Sequence, residues 1–467
     1  MVGSVRDRTG RACARCTFRH TGPDSIPPVT HLRPVLLALL LLSALALPSI
    51  AAQDPAPAPA SPAAASSTDP ITSYTLPPDT LARAEALYRT RVAMLVAGTV
   101  YGFVVLVLVL ALRVAPRLRS LAERVSTRRF VQALVFAPLF LLLLDVLSLP
   151  VGVFGQSLDR SYGLSVQGWG SWFWDWTKGE LIGTVIGTLL VWGLYAVLRR
   201  FPTRWWFYGW LGLLPILLLL ILIGPVFIAP LFNTFTPLEA SQPALVPELE
   251  KVMARGGLSI ERARMFEMAA SDKVTTYNAY VTGIGASKRV VVWDNTSRDL
   301  AIPETMFVFG HEMGHYVLQH IWLSLGFAVL GLLLQLYLAH RLLGGVLARY
   351  GARWDIRGVS DWASLPVLLL LLSVFSLATQ PVQAGFSRYL EHQADIYGLE
   401  AMHGLTADSS QAAAHAFQKL GEKGLVYPSP HPLYVFWAAG HPPIHERVQF
   451  ALAYRPWERG EPGQYLQ

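Results

Sequence analysis

Cysteine and charged residues are scarce in this chain of 467 residues, and each scarcity excludes a class of protein. There are two cysteines, Cys13 and Cys16, both near the N-terminus, so a scaffold held together by disulfides is excluded. Their C-x-x-C spacing has no second pair that would complete a tetrahedral metal site. Charged residues make up 15% of the chain and hydrophobic residues 53%, whereas soluble domains carry about 25% charged residues. The composition therefore predicts a protein that resides in lipid.

The net charge of +7 is the second bias of the composition. A basic chain can bind nucleic acid, but here the arginines cluster beside apolar segments. Basic loops of that kind orient membrane proteins. We therefore predict membrane lipid as the surroundings of the chain and no nucleic-acid partner.

The first 52 residues form a polar, Arg-rich extension followed by an apolar run at 35–50. Ala51, Ala52 and Gln53 come next, and small residues at that place are typical of a signal-peptide cleavage site. We predict a cleaved signal peptide. An uncleaved first transmembrane helix is the alternative, although the length of the run barely permits it. Residues 53–91 are interpreted as a Pro/Ala-rich linker that ends in a short amphipathic helix.

Six further apolar runs approach or exceed the roughly 20 residues that cross a bilayer as a helix. They occupy residues 92–112, 130–153, 181–198, 206–232, 321–338 and 365–377. The first four define a membrane domain at 92–232, and the last two lie within 321–380. Pro215, Gly224 and Pro225 predict a broken fourth span. Pro381 is expected to end the sixth span before a separate helix over 384–402.

Residues 233–320 interrupt the apolar pattern with a hydrophilic block. Apolar positions at helical spacing predict a helix over 243–256. The segments 278–283 and 289–294 alternate in the manner of strands and are joined by a Gly-containing link, so they predict a β-hairpin.

The most informative stretch is His311-Glu312-Met-Gly-His315, which follows a predicted helix start at Pro303. On a helix the two histidines lie one turn apart on one face, where both can ligate a single Zn²⁺. Glu312 beside them can accept a proton from a metal-bound water. The alternative is a chance match on a helix that buries two histidines.

A catalytic zinc takes three protein ligands and keeps one position open. Glu391 and Asp395 are candidates, because they lie one helical turn apart on the predicted helix over 384–402. One of them can ligate the ion while the other holds a ligand histidine through its second ring nitrogen. The alternative is a solvated acidic face of an amphipathic helix.

Together these motifs resemble the integral-membrane zinc metallopeptidases of the CAAX prenyl protease type I family. The resemblance extends from about residue 74 to about residue 453. It is carried by several segments in the same order along the chain: 230–237, Asn278-Ala-Tyr280, Lys288-Arg-Val-Val-Val, His311-Glu-Met-Gly-His315, Glu391-x-x-x-Asp395 and His441-Pro-Pro-Ile-His-Glu-Arg447.

The resemblance implies a mainly α fold: a multi-pass membrane helical bundle with an inserted α+β, gluzincin-like zinc-metallopeptidase domain. It implies one Zn²⁺ per chain with His311, His315 and Glu391 as ligands and Glu312 as general base. The catalytic domain would then comprise residues 233–320 and 381–467, separated by the two spans within 321–380.

The resemblance also assigns three further parts of the site. Asp395 corresponds to an active-site carboxylate, which we interpret as the partner of a ligand histidine. His441 corresponds to a histidine that stabilises the oxyanion. The segment Asn278-Ala279-Tyr280 corresponds to an exposed edge strand on which an extended peptide substrate can bind. Residues 271–277 differ from the Ser/Arg/His-rich run of eukaryotic members, so prenylated substrates are not implied.

We therefore predict a zinc-dependent metalloendopeptidase that acts on membrane-associated or exported proteins. A membrane transporter is one alternative, favoured by the number of spans and by Asp145 within the second. An inactive zinc-binding scaffold is another, although such a scaffold has no need of Glu312. The sequence leaves the substrate and the oligomeric state open.

Arginines crowd three connections: between the first two spans, between the third and fourth, and between the fifth and sixth. If the chain changes sides at each span, all three fall on one face, which the positive-inside rule makes cytoplasmic. The sequence then predicts a bacterial inner-membrane protein whose active site faces the periplasm.

Overall fold

The computed structural model describes residues 69–283 and 285–466. The predicted signal peptide and most of the Pro/Ala-rich linker lie outside the described residues, so both stay predictions.

Helices dominate the described chain, and the first five precede the sheet. They are α1 (Pro78–Ala111), α2 (Val114–Val125), α3 (Arg129–Ser161), α4 (Trp169–Arg200) and α5 (Trp205–Ile223). Short helices α6 (Leu238–Ser241), α7 (Leu245–Arg255) and α8 (Asp294–Asp299) alternate with the strands. The remainder are α9 (Ile302–Val317), α10 (His320–Tyr350), α11 (Leu365–Met402), α12 (Ser409–Lys423), α13 (Pro432–Trp437) and α14 (Ile444–Ala453).

Within the described residues, six helices are long and apolar enough to cross a membrane, which confirms the six predicted spans. They belong to α1, α3, α4, α5, α10 and α11. The fourth span is irregular near Gly224 and Pro225, as predicted. Its α-helix ends at Ile223, and a π-helical turn follows over Gly224–Ile228. The predicted fold class, a membrane helical bundle with an α+β catalytic part, is confirmed.

Two expectations about the last spans are wrong. Pro381 does not end a helix but lies inside α11, which is continuous over 38 residues. Proline removes a single backbone donor, and neighbouring helices or side chains in a membrane protein can compensate for this loss. The predicted connection between the fifth and sixth spans, residues 339–364, contains Arg341 and Arg349, yet both belong to the helix α10. Long arginine side chains are compatible with the end of a membrane helix because their charged groups can reach the interface.

The three arginine-rich connections lie together at one end of the bundle. Arg119 of α2 is 2% exposed and pairs with Asp361 at 2.6 Å and with Asp355 at 3.0 Å, both in the link between α10 and α11. Arg199 at the end of α4 stacks over the Trp362 ring at 4.2 Å. Their mutual contacts support an alternating path of the six spans, with the catalytic part at the other end.

A four-stranded sheet carries the edge that the sequence predicts. Its order is β1-β2-β4-β3, with β1 at Phe235–Pro237, β2 at Met265–Met268, β3 at Ala279–Thr282 and β4 at Arg289–Trp293. β3 and β4 pair antiparallel, as expected for the predicted hairpin, and β2 pairs with β4 in parallel. β3 is therefore at the edge of the sheet, and it packs against α9.

Helices α9 and α11 approach each other closely at two glycines. A Cβ on Gly398 would lie 3.0 Å from the backbone nitrogen of His311 and 3.2 Å from the Phe307 ring. A Cβ on Gly310 would lie 3.4 Å from the Cα of Gly398. Backbone atoms cannot move aside as a flexible side chain can, so a side chain at Gly398 would push the two helices apart by a few tenths of an ångström.

We expect Gly398→Ala to destabilise the protein by up to about 2 kcal/mol. The added methyl group costs about 1–3 kcal/mol in a packed interior, and the better helix propensity of alanine offsets about 1 kcal/mol of that cost. The measurement is thermal unfolding in detergent. Gly326→Ala on α10 is the matched control, because a Cβ there has no neighbour within 4 Å. Equal melting temperatures for the two variants would contradict the close approach.

Candidate active site

The crossing of α9 and α11 brings His311, His315 and Glu391 together. The Nε2 atoms of the two histidines are 3.2 Å apart. His311 Nε2 lies 3.4 Å from Glu391 Oε2, and His315 Nε2 lies 3.4 Å from Glu391 Oε1. The structure thus collects three residues separated by up to 80 positions in sequence into one cluster able to hold a metal ion.

The charge state of this cluster suits a cation. Glu391 is 8% exposed. Within the described part of the chain its Oε2 atom has no contact of hydrogen-bond geometry, and its nearby nitrogens are His441 Nε2 at 3.3 Å and His311 Nε2 at 3.4 Å. A buried carboxylate oxygen without a partner is costly. A metal ion bound between the two imidazoles and this carboxylate would remove that cost.

Asp395 lies behind His311, one turn along α11 from Glu391. Its Oδ1 atom is 2.8 Å from His311 Nδ1, an arrangement that keeps the proton on Nδ1 and leaves the Nε2 lone pair to face the cluster. Burial lowers the pKa of His311, but Asp395 and Glu391 outweigh it and raise the pKa to about 10. Since a ligand imidazole must be neutral, metal binding would compete with protonation of His311 at Nε2.

Arg447 of α14 completes this side of the site. Its Nε and Nη2 atoms donate to the two oxygens of Asp395 at 2.9 and 2.6 Å, and the guanidinium lies 4.4 Å from the centre of the Phe417 ring. Because Asp395 is 1% exposed, the bidentate pair compensates a carboxylate that would otherwise be buried unpaired.

His315 is held by a different, uncharged chain of contacts. Its Nδ1 atom lies 3.0 Å from Nδ1 of His320, whose Nε2 atom lies 3.2 Å from Gln393 Oε1. The Gln393 amide nitrogen in turn donates to the Tyr389 hydroxyl at 2.9 Å. Since an amide oxygen only accepts, His320 carries its proton on Nε2 and accepts from His315 Nδ1–H. This arrangement leaves His315 Nε2 with a lone pair for the metal.

The remaining predicted residues surround the cluster. Glu312 interacts electrostatically with both histidines, and burial raises the pKa of its carboxyl. His441 has a side chain that is 64% exposed, and its Nε2 atom lies 3.3 Å from Glu391 Oε2. The segment Asn278-Ala279-Tyr280 lies at the sheet edge beside α9. Among the described residues, no hydrogen bond or ion pair joins that segment to the cluster.

Sequence reasoning missed the three residues that orient the histidines. Arg447 belongs to the segment His441–Arg447, to which the sequence analysis gave no role beyond His441. It follows Pro443 by about one helical turn. His320 follows His315 by five positions, just past the end of α9. Gln393 lies between the two acidic candidates on α11 and gave no signal.

Two family models match consecutive parts of the chain. One, described as CAAX prenyl protease N-terminal with five membrane helices, matches residues 67–234. The other, described as peptidase family M48, matches residues 239–455. The uncharacterized metalloprotease YhfN of Bacillus subtilis is 34% identical over 376 residues, which are 80% of this chain and 86% of that protein.

The chain belongs to peptidase family M48. As a member of family M48 it is a proteolytic enzyme of the metalloprotease type, and its apolar helices make it an integral, multi-pass membrane protein. Family membership decides against the transporter alternative.

Eukaryotic members of the family are also similar. CAAX prenyl protease 1 of Saccharomyces cerevisiae is 27% identical over 68% of this chain and 71% of that protein. The CAAX prenyl protease 1 homolog of Dictyostelium discoideum is 32% identical over 56% of this chain and 61% of its own length. The crystal structure of S. mikatae Ste24p shares the M48 membrane fold with a TM-score of 0.68 and 24% identity, covering 81% of this chain and 89% of that one.

We expect His320→Leu to lower metal affinity about 10–100-fold, because the Nδ1–H of His315 loses the acceptor that orients the ring. The measurement is competition between the purified protein and a chromophoric chelator, with zinc as the probe ion. His340→Leu is the matched control, since His340 lies on the same helix and contacts Trp205 instead of the cluster. Unchanged affinity in His320→Leu would remove His320 from the support of the site.

Proposed function

We propose that this protein is a zinc metalloendopeptidase of membrane-associated or exported proteins. The observation that carries the proposal is the grouping of donor atoms from His311, His315 and Glu391. A tetrahedral zinc with ligand bonds of about 2.0–2.1 Å places neighbouring ligand atoms about 3.3–3.4 Å apart. The two histidine Nε2 atoms are 3.2 Å apart, and each of them lies 3.4 Å from one of the two carboxylate oxygens of Glu391. Two imidazoles and one carboxylate are also a donor set of catalytic zinc sites.

Bound zinc would polarise the scissile carbonyl and lower the pKa of its water to about 7. In this proposal Glu312 accepts the water proton and later returns it to the leaving amine. The burial that raises the pKa of Glu312 suits both steps, because it makes the carboxylate a stronger base. His441, on the exposed side of the cluster, donates towards the carbonyl oxygen as negative charge develops there.

The edge strand β3 would bind the substrate backbone. A peptide in extended conformation can add to this edge by main-chain hydrogen bonds, while its side chains remain free for other contacts. Asn278 holds the entry to the strand, because its Oδ1 atom accepts from the Ala279 N–H at 2.8 Å. Binding of this type requires little of the substrate sequence, so the edge strand supports an endopeptidase with several substrates.

Location of the site on a membrane helix supports membrane-associated substrates. The proposed ligand Glu391 belongs to α11, the same continuous helix that forms the sixth span. We also keep the division into an N-terminal membrane domain at 92–232 and a catalytic domain composed of 233–320 and 381–467. The two parts of that domain meet where α9 crosses α11.

We expect Glu312→Gln to retain zinc and to lose about 10²-fold or more of the peptidase activity, because the base is removed while the ligands stay. Glu391→Ala should instead lose the metal. Activity is followed on a casein or quenched peptide reporter, and zinc by elemental analysis of the purified protein. Glu446→Gln, an exposed change on α14, is the control and should retain both. A Glu312→Gln variant with wild-type activity would contradict the assignment, and zinc without proteolysis in the wild type would favour the inactive scaffold.

The side of the membrane on which the site lies is part of the proposal. The basic connections lie together at one end of the bundle. Arg119 pairs there with Asp355 and Asp361, and Arg199 stacks on the Trp362 ring. The positive-inside rule makes that end cytoplasmic. The cluster at the other end would then face the periplasm of a bacterial inner membrane.

Cysteine labelling tests this orientation in a chain with Cys13→Ser and Cys16→Ser. We expect an impermeant maleimide to label Glu446→Cys in intact spheroplasts, because α14 lies on the catalytic side. Arg117→Cys, exposed on α2 at the basic end, should react only after permeabilisation. The reverse pattern would place the active site in the cytoplasm.

A further inference from the structure

A cavity of about 220 Å³ lies among the arginine-rich connections, at the end of the bundle away from the metal cluster. Its lining includes Arg129, Arg199 and Arg357, together with the acids Glu123 and Asp361. The volume is below the range of about 300–1,000 Å³ that is typical of pockets for complete small-molecule ligands. A single charged group therefore fits this cavity better than a whole cofactor or substrate does.

The two carboxylates of the lining are already bound by arginines. Asp361 Oδ2 accepts from Arg119 Nη1 at 2.6 Å, and Glu123 Oε1 accepts from Arg357 Nη1 at 2.7 Å. Asp361 Oδ2 also accepts from the backbone N–H of Arg357 at 2.9 Å. Each acid thus has its own cation, and neither has an uncompensated charge for a further one.

Arg129 and Arg199 have neutral partners instead. Arg129 Nη1 donates to the amide oxygen of Gln132 at 2.9 Å, and Arg199 stacks over the Trp362 ring at 4.2 Å. Within residues 69–283 and 285–466 neither arginine forms an ion pair with a carboxylate, and Arg199 Nη2 is buried without an acceptor. The two guanidiniums are also close enough to repel each other. An anion between them would relieve this repulsion.

A shared support holds both arginines at the cavity. Gln132 is 4% exposed, and its amide oxygen accepts from Arg129 at 2.9 Å and from the Trp362 indole N–H at 3.2 Å. Trp362 in turn supports Arg199 through the stacking contact. Because a guanidinium is planar and can donate to two phosphate oxygens at once, two guanidiniums fixed in this way form a ready site for a phosphate group.

The surface next to the cavity favours a lipid over a free anion. Arg129 is the first residue of α3 and Arg199 is in the last turn of α4, and both helices are long and apolar enough to span a membrane. Phe130 and Trp192 meet edge-on at 5.4 Å on these same helices, and they are 46% and 38% exposed. Trp192 precedes Arg199 by seven residues, which is about two turns along the same face of α4. Acyl chains can pack on this aromatic pair.

We propose that this cavity binds the phosphodiester headgroup of an anionic phospholipid. Arg129 and Arg199 donate to the phosphate oxygens, and the acyl chains lie along Phe130 and Trp192. A zwitterionic headgroup is disfavoured, because its own cation would face the two arginines. The inference goes beyond the proposed peptidase function and does not depend on it, since none of these residues belongs to the metal cluster.

The test is native mass spectrometry of the full-length protein in detergent, titrated with phosphatidylglycerol or with phosphatidylcholine of the same acyl chains. We expect one phosphatidylglycerol to bind at least tenfold more tightly than phosphatidylcholine. An arginine near an anionic lipid contributes about a fivefold factor in affinity. Arg129→Gln combined with Arg199→Gln should therefore weaken phosphatidylglycerol binding about 25-fold. Equal affinity for the two lipids, or wild-type affinity in the double variant, would overturn the inference.

Arg117→Gln combined with Arg124→Gln is the matched control. Both arginines are exposed on α2 at the same end of the bundle and lie outside the lining of the cavity, so the control removes the same charge. Its affinity for phosphatidylglycerol should stay within about twofold of the wild type, because charge screened by water contributes little. An equal loss in both double variants would show that overall charge, and not the cavity, attracts the lipid.

A single variant keeps the test independent of folding. Arg199 packs on Trp362, whereas Arg129 is exposed and has only the contact with Gln132. Arg129→Gln should therefore keep the melting temperature of the lipid-free protein and weaken phosphatidylglycerol binding about fivefold. Unchanged affinity in this folded variant would contradict the site.

Competition distinguishes the lipid from a free anion of the same chemistry. Inorganic phosphate or glycerol 3-phosphate is added in large molar excess to the protein with bound phosphatidylglycerol. We expect both to leave the lipid bound, because neither of them gains the contact of acyl chains with the aromatic pair. Full displacement by either anion would assign the cavity to a soluble phosphate and overturn the lipid assignment.

Discussion

The close approach of α9 and α11 is the constraint on which the rest of the site depends. Gly310 and Gly398 allow the two backbones to come close, since a Cβ on Gly398 would lie only 3.0 Å from the His311 nitrogen. In the proposed site two donor atoms come from one helix and the third from the other, and zinc ligand distances vary by only about 0.2 Å. An added methyl group would move the helices apart by a few tenths of an ångström, which exceeds that tolerance. Glycine is needed here because of packing, and not because of a turn.

The two histidines of the cluster are oriented by chemically different partners. His311 faces a carboxylate that is itself bound by Arg447, whereas His315 faces the neutral imidazole of His320. A buried ion pair such as Asp395–Arg447 contributes little net stability, because desolvation offsets the attraction. Its value is in fixing a tautomer and a ring orientation. In the proposed zinc site His311 would therefore be the more basic ligand. The cluster also carries less negative charge than it would if a carboxylate stood behind each histidine.

Local sequence patterns predicted the helices and strands of this fold, but they did not predict the contacts between elements that are distant in sequence. Span positions follow from apolar composition, and the helix carrying His311 and His315 follows from its start signal and spacing. Asp395 could be paired with a histidine because one turn separates it from Glu391. Continuity of α11 through Pro381 could not be foreseen, since proline is as compatible with the end of a helix as with the interior of a membrane helix. Arg447 and Gln393 were missed for the same reason: each acts across a long sequence separation, and no periodicity records such contacts.

Continuity of α11 has a mechanical consequence. The helix starts at Leu365, and at 1.5 Å per residue the 26 residues to Glu391 form a rod of about 39 Å, longer than the roughly 30 Å hydrocarbon layer. A tilt of about 5° at its start would move Glu391 sideways by about 3 Å, since the rod acts as a lever arm. Membranes of different thickness change the tilt of such helices. The contact of α9 with Gly398 lies just beyond Glu391, so a tilt of α11 that keeps this contact would move the donor atoms of both helices together.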